Sequence, residues 1–328
     1  MKRTAAVCAL ALGLVACGDG NPFNTDGDAP AVTTTSSAAQ VSDVAVPAEI
    51  LNDLESINFD ATTNTLTVTG LTQDGVPLIN EYNHVAASFV DGFETFTGQN
   101  DPIGRHATAF VASRDGGLQA GVVMTGPQFN RFFGGTFYDR SGDYEAPTAP
   151  ESRFDVTYVG NYAGGLNFPG PLTDRLPIAP GVDPDVDLPQ QTAYVRGLMF
   201  VNVDLNDMSV EGEIYNRTGV FGQDGSGNLV SDSTIPGFVG LPDIVLVDGA
   251  LEGDGTFSGN LEVDGVVGED IGDFAGVIGG PGGNAAVGGT TLSDYTTLFD
   301  NEIEYGVFVL DLCDATSTDP ICVNALQP

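Results

Sequence analysis

The chain has 328 residues, with 45 Asp and Glu against 10 Lys and Arg, a formal net charge of −35, and no Trp. A surface of that sign repels nucleic-acid phosphates and anionic lipid headgroups, and an apolar share of 41% supports a core, which excludes wholesale disorder. The length allows one large or two ordinary domains.

Met1-Lys2-Arg3 is a short basic start, and residues 5–15 form an apolar run too short to span a bilayer. The run ends Leu14-Val15-Ala16-Cys17, the pattern of a bacterial lipobox, which predicts cleavage before Cys17 and acylation of Cys17. Residues 1–16 thus read as a lipoprotein signal peptide. Its removal takes away Lys2, the only lysine, together with Arg3, leaving eight arginines against 45 acids. The position after Cys17 is Gly18 rather than Asp, which favours outer-membrane placement. Residues 17–46 are rich in Gly, Asp, Thr, Ser and Ala and read as a flexible acylated tether. Asn24 to Asp28 imitates a calcium loop without its spacing or closing Glu, so it counts as acidic linker.

Beyond the tether nearly everything reads as strand, apart from a short helical pattern at Ala48 to Leu54. Residues 57–60 and 66–69 flank a Thr/Asn turn in the manner of a hairpin. Strands are expected at 106–112, 121–125 and 132–138, so 47–148 form a β-rich N-terminal region that ends near the two prolines of 145–151. Phe154, Val156 and Tyr158 alternate with polar residues. A six-proline connection, Pro169 to Pro189, follows. Further strands are expected at 193–204, 208–217, 243–251 and 302–309, with Glu302 and Glu304 on one solvated face.

Residues 255–264 alternate strictly between Phe257, Gly259, Leu261 and Val263 on one side and polar residues on the other. Gly-Asp-Phe-Ala-Gly at 272–276 and a glycine-rich connection come next, and glycines inside sheet-like sequence predict a strongly curved, closed sheet. These pieces resemble the C-terminal β-barrel of the transferrin-binding protein B family of bacterial surface lipoproteins. The pieces are Tyr158 to Gly164, Phe200 to Asp204, Val210 to Ile214 and 249–290, and the likeness covers about half the chain. It implies a mainly β protein: an antiparallel, Gly-rich C-terminal barrel of about eight strands over 149–313; the family's best-known members have two lobes, whereas this chain has room for only one. It further implies a surface lipoprotein of a Gram-negative bacterium that captures an extracellular macromolecule or nutrient carrier through barrel loops, beside an outer-membrane receptor. Pro169 to Pro189 and Gly219 to Pro242 are the candidate contact loops. A structural or adhesive envelope protein without a discrete ligand is the alternative.

Cys313 and Cys322 are expected to form a disulfide that ties down the tail, residues 314–328. Two thiols without a nearby His are too few for a metal, and no cofactor is expected. An Asp183, Asp185 and Asp187 calcium site is weighed against a solvated loop, and the loop is preferred. His84 and His106 are the only histidines. Without a Gly-x-Ser-x-Gly elbow they read as structural, and Asp270 with Asp273 as a chance pairing, so no enzyme is expected.

Overall fold

The computed structural model describes residues 44–70, 79–86, 89–149, 153–183, 187–231 and 233–326. The signal, Cys17 and most of the tether lie outside the described residues, as does Asp185. The described residues belong to one unit, Gln40–Pro328. After a one-turn helix α1 (Ala48–Leu51), seven antiparallel strands follow in simple order: β1 (Leu54–Asp60), β2 (Thr65–Gly70), β3 (Ile79–Val85), β4 (Glu94–Gly98), β5 (Ala107–Arg114), β6 (Leu118–Thr125) and β7 (Gly134–Arg140). This sheet curls until it is nearly closed. The helical pattern at 48–54 yields only the one turn, because Leu54 already joins β1 and pairs with Gly70.

Nine strands follow: β8 (Asp155–Pro169), β9 (Thr192–Asp204), β10 (Ser209–Gln223), β11 (Ile235–Gly240), β12 (Ile244–Leu251), β13 (Thr256–Val263), β14 (Gly272–Gly279), β15 (Ala285–Ser293) and β16 (Ile303–Leu312). All except β11 form a closed eight-stranded antiparallel barrel, sealed by β8 with β16 and β9 with β10. A short helix α2 (Pro320–Ala325) ends the described chain, with Asp319 accepting from the Ile321 N–H as its N-cap. Among the described residues no helix is long and apolar enough to cross a membrane.

Three apolar layers hold the unit together. Inside the curled sheet lie Leu54, Val68, Phe96, Ala109, Val111 and Val123. Inside the barrel lie Tyr158, Tyr162, Met199, Phe257, Phe274 and Phe308. Between sheet and barrel a third layer joins Phe110, Leu118, Val122 and Met124 to Ala163, Val277, Val287, Val307 and Val309. Side chains alternate across a strand, so β5 sends Ala109 and Val111 one way and Phe110 and Ala112 the other. Both sides of β5 are buried from Ala107 to Ala112, as in a strand held between two packed layers.

Glycine allows this density where two surfaces come closest. Gly288 lies opposite Phe308 across β15 and β16, and a Cβ there would sit 2.3 Å from the Phe308 ring. On the outer side a Cβ at Gly165 would sit 2.4 Å from the Met124 sulfur, so the sheet rests directly on the barrel backbone.

Candidate functional site

An eight-stranded barrel is just wide enough for its own side chains to fill, and this one is filled. Six of its largest buried residues are the aromatics Tyr158, Tyr162, Phe221, Phe257, Phe274 and Phe308. Its upper layer is polar. The Arg217 guanidinium donates to both carboxylate oxygens of Glu304, at 2.8 and 2.7 Å, with both side chains at 0% exposure. Tyr162 and Tyr295 donate to the same carboxylate, Arg217 also donates to the Pro242 carbonyl, and its plane lies 4.9 Å from the Tyr295 ring centre. Burial, and after it the Glu304 charge, push both tyrosine hydroxyls well above their ordinary value, so they act as donors.

Arg217 reaches the lumen through a bulge. Val210 and Ile214 of β10 face inward on even positions, whereas Arg217 and Phe221 face inward on odd ones. The register slips between Tyr215 and Thr218, where Asn216 takes φ 53°. Glu302 and Glu304 do not form a solvated face: they are 1% and 0% exposed. Glu304 is held by Arg217, and the Glu302 carboxylate accepts from the Thr296 N–H. The sequence alternation could not reveal the Glu304 site, because Arg217 and Tyr162 lie 87 and 142 residues away.

With the lumen occupied, the outer loops are the surface available to a ligand. The antiparallel register places the β8–β9 connection, the β13–β14 connection and the β15–β16 connection at one end of the barrel. The first of these joins Pro169 to Thr192; its described residues, 170–183 and 187–191, contain no strand or helix and lie as a strap against the curled sheet. The Asp174 carboxylate accepts from His106 Nε2 at 2.7 Å and from the Thr97 hydroxyl, and the Leu176 N–H donates to Gln99. At the strap's other limb Gln128 donates to the Asp187 carbonyl, and the Phe129 N–H donates to the Asp187 carboxylate. Asp187 is therefore a loop fastener, and among the described residues no cluster of three His, Cys, Asp or Glu could hold a metal.

Gly219 to Pro242, expected as a loop, is instead largely a hairpin. β10 parts from β12 after Ile214 and continues to Gln223, with β9 on one side of Thr218 to Val220 and β11 on the other. The resulting flap carries Leu229, Val230, Ile235 and Phe238, all exposed, with the Arg196 guanidinium 5.4 Å from the Phe238 ring centre. Strap and flap are joined where the Leu172 N–H donates to the Ser233 carbonyl.

The remaining sequence candidates are dispersed. His84 pairs with Glu94 on the surface, 2.8 Å apart. The Asp270 carboxylate accepts from the Gly272 N–H, and Asp273 is held above its ordinary value by burial, then by Asp270 and Glu49. The glycine-rich connection after β14 forms a 3₁₀ turn at Pro281–Gly283. Cys313 and Cys322 are joined as a disulfide with Cα atoms 5.1 Å apart.

No family model matches the chain, and no curated protein matches it. Among solved structures it is similar to the vaccine antigen transferrin-binding protein B of Haemophilus parasuis Hp5. The identity is 12%, over 78% of this chain and 44% of that one, with a TM-score of 0.37. The chain thus spans less than half the length of that protein, and the fold and site above stand on this chain's own residues.

Proposed function

We propose that the protein is a lipid-anchored outer-membrane surface protein that captures an extracellular macromolecule or nutrient carrier on its strap-and-flap end. Acylated Cys17 would hold it, and residues 17–46 would lift the folded unit off the membrane. One observation carries the binding role. Of the fourteen exposed large apolar side chains among the described residues, ten lie at this end: four on the flap, with Ile103, Phe129, Leu176, Val266, Val267 and Leu298. Scattered exposed apolar residues need no explanation, but a gathering of them on one surface marks an interaction site.

Acids are interspersed with them, including Asp101, Asp183, Asp187, Asp224, Asp264 and Asp270. The contact therefore combines an apolar centre with a negative rim, which slows wrong anionic partners and speeds cationic ones. The test is capture from the organism's own medium by the full chain held in phospholipid vesicles, at low and high salt. One protein retained at high salt, and lost with Phe238→Ser, is the expected result. Enrichment only at low salt, or none at all, would overturn capture and favour a structural envelope role.

A further inference from the structure

The strap is fastened to a surface that does not fully satisfy it. Thr97 and Thr108 are cross-strand partners on β4 and β5, and His106 lies two residues before Thr108, so all three present side chains to one face of the sheet. Thr97 and His106 from that face hold Asp174. Yet His106 Nδ1 and Thr108 Oγ1 are buried there with no hydrogen-bonding group opposite. The same is true of Gln190 Oε1 and Gln191 Nε2 at the strap's return limb and of Gln128 Oε1 beneath Asp187. Five of the seven such atoms among the described residues therefore belong to this one seam.

Unpaired buried polar atoms penalise the closed arrangement, whereas the paired Asp174 carboxylate favours it. Opening would hydrate all five atoms at once and would break the Asp174 contacts. Such a balance makes a segment that opens locally while its surroundings stay shut. Asp174 accepts from His106, so Nε2 carries a hydrogen, and Nδ1 is the ring nitrogen without a partner. The imidazole is 1% exposed and fixed by its place ahead of β5, whose entry is closed by the Gly126 N–H donating to the His106 carbonyl. The charged group facing His106 from the strap is Asp174; from β4 the facing group is the neutral Thr97, and from the β6–β7 connection it is the Gly126 backbone.

We infer that His106 and Asp174 form a latch that positions the ligand-binding face: closed, it holds the strap down and, through Leu172 and Ser233, keeps the flap in place. The inference rests on the capture reading for its purpose, but its structural content is tested without any ligand. Hydrogen exchange by mass spectrometry on the full chain compares wild type, Asp174→Ala and Thr108→Val. Asp174→Ala is expected to speed exchange at 172–176 by tenfold or more, and at 233–240 by several-fold, with β14 to β16 unchanged. Thr108→Val, which removes an unpaired hydroxyl from the closed seam, is expected to slow exchange at 172–176. Equal acceleration throughout the barrel in Asp174→Ala, or unchanged exchange at 172–176 in either variant, would overturn the latch. Loss of capture in Asp174→Ala with unchanged exchange at 172–176 would overturn the latch and place Asp174 in direct contact instead, whereas failure of Phe238→Ser to affect capture would count against the binding face alone.

Discussion

Arg217 and Glu304 meet inside the barrel as a fully buried ion pair, brought together by a bulge in β10 that turns one arginine inward. Removing one member strands the other charge in a dry interior, which typically costs about 3–5 kcal/mol. Glu304→Ala and Arg217→Ala are each expected to lower stability by about that amount in urea unfolding. Arg217→Met with Glu304→Leu is expected to recover much of the loss. A small effect of either single change would show that water reaches the pair.

Gly288→Ala tests the packing of Phe308. The added Cβ would lie 2.3 Å from the ring and 2.2 Å from the Ala275 carbonyl oxygen, neither of which can retreat in a filled lumen. Overpacking of this kind costs about 1–3 kcal/mol, and the urea midpoint is expected to fall accordingly. Phe308→Leu in the same chain is expected to restore part of it.

The Cys313–Cys322 bridge closes a loop of sequence separation 9. In the chain-entropy description that stabilises the folded state by up to about 2–3 kcal/mol. Cys313→Ala with Cys322→Ala is expected to free α2, seen as rapid exchange at Ile321 to Ala325, while the barrel strands keep their protection. Loss of protection in β8 would instead make the tail integral to the barrel wall.

Phe238 is 59% exposed and Ile235 48%. Exposed apolar side chains contribute little to folding, so Phe238→Ser and Ile235→Ser are expected to move stability by no more than about 0.5 kcal/mol. Capture, by contrast, is expected to weaken tenfold or more in surface-binding measurements. A matched loss of stability would reassign the flap to a packing role.

The strap has its own pH signature. Burial acts to raise the Asp174 carboxyl, but the hydrogen bonds from His106 and Thr97 prevail and hold it below its ordinary value of 3.8. A carboxylate depressed in the folded state contributes stability above its unfolded pKa and loses it as pH falls through the folded one. Exchange protection at 172–176, corrected for the intrinsic rate, is therefore expected to be level around neutrality and to drop only below 3.8. A drop well above 3.8 would show that Asp174 does not control the strap.

Strand character was legible wherever one side of a strand is wet or glycine spacing is regular. The alternation around Phe257 and Leu261 became β13, and the acidic stretch at 302–309 became β16. β3 and β4 were missed because Asn80, Glu81, Asn83 and His84 interrupt any apolar period in β3, and because β4 has only five residues. The flap read as a loop because Gly219, Gly222, Gly237 and Gly240 mimic turn composition inside paired strands. His106 carried no signal at all. Its role depends on Asp174, sixty-eight residues away, and the unpaired atoms of the seam exist only once the strap is laid across the sheet.

The pairing of β8 with β16 has a consequence for assembly. β8 receives its second neighbour only from Ile303–Leu312, the last strand of the described chain. Until then β8 and β15 both present unsatisfied backbone edges, the template for pairing with other chains. The barrel is thus sealed only once its final strand is in place. A chain that stops short of Ile303 is therefore expected to keep two open edges and to associate with other copies rather than stay monomeric.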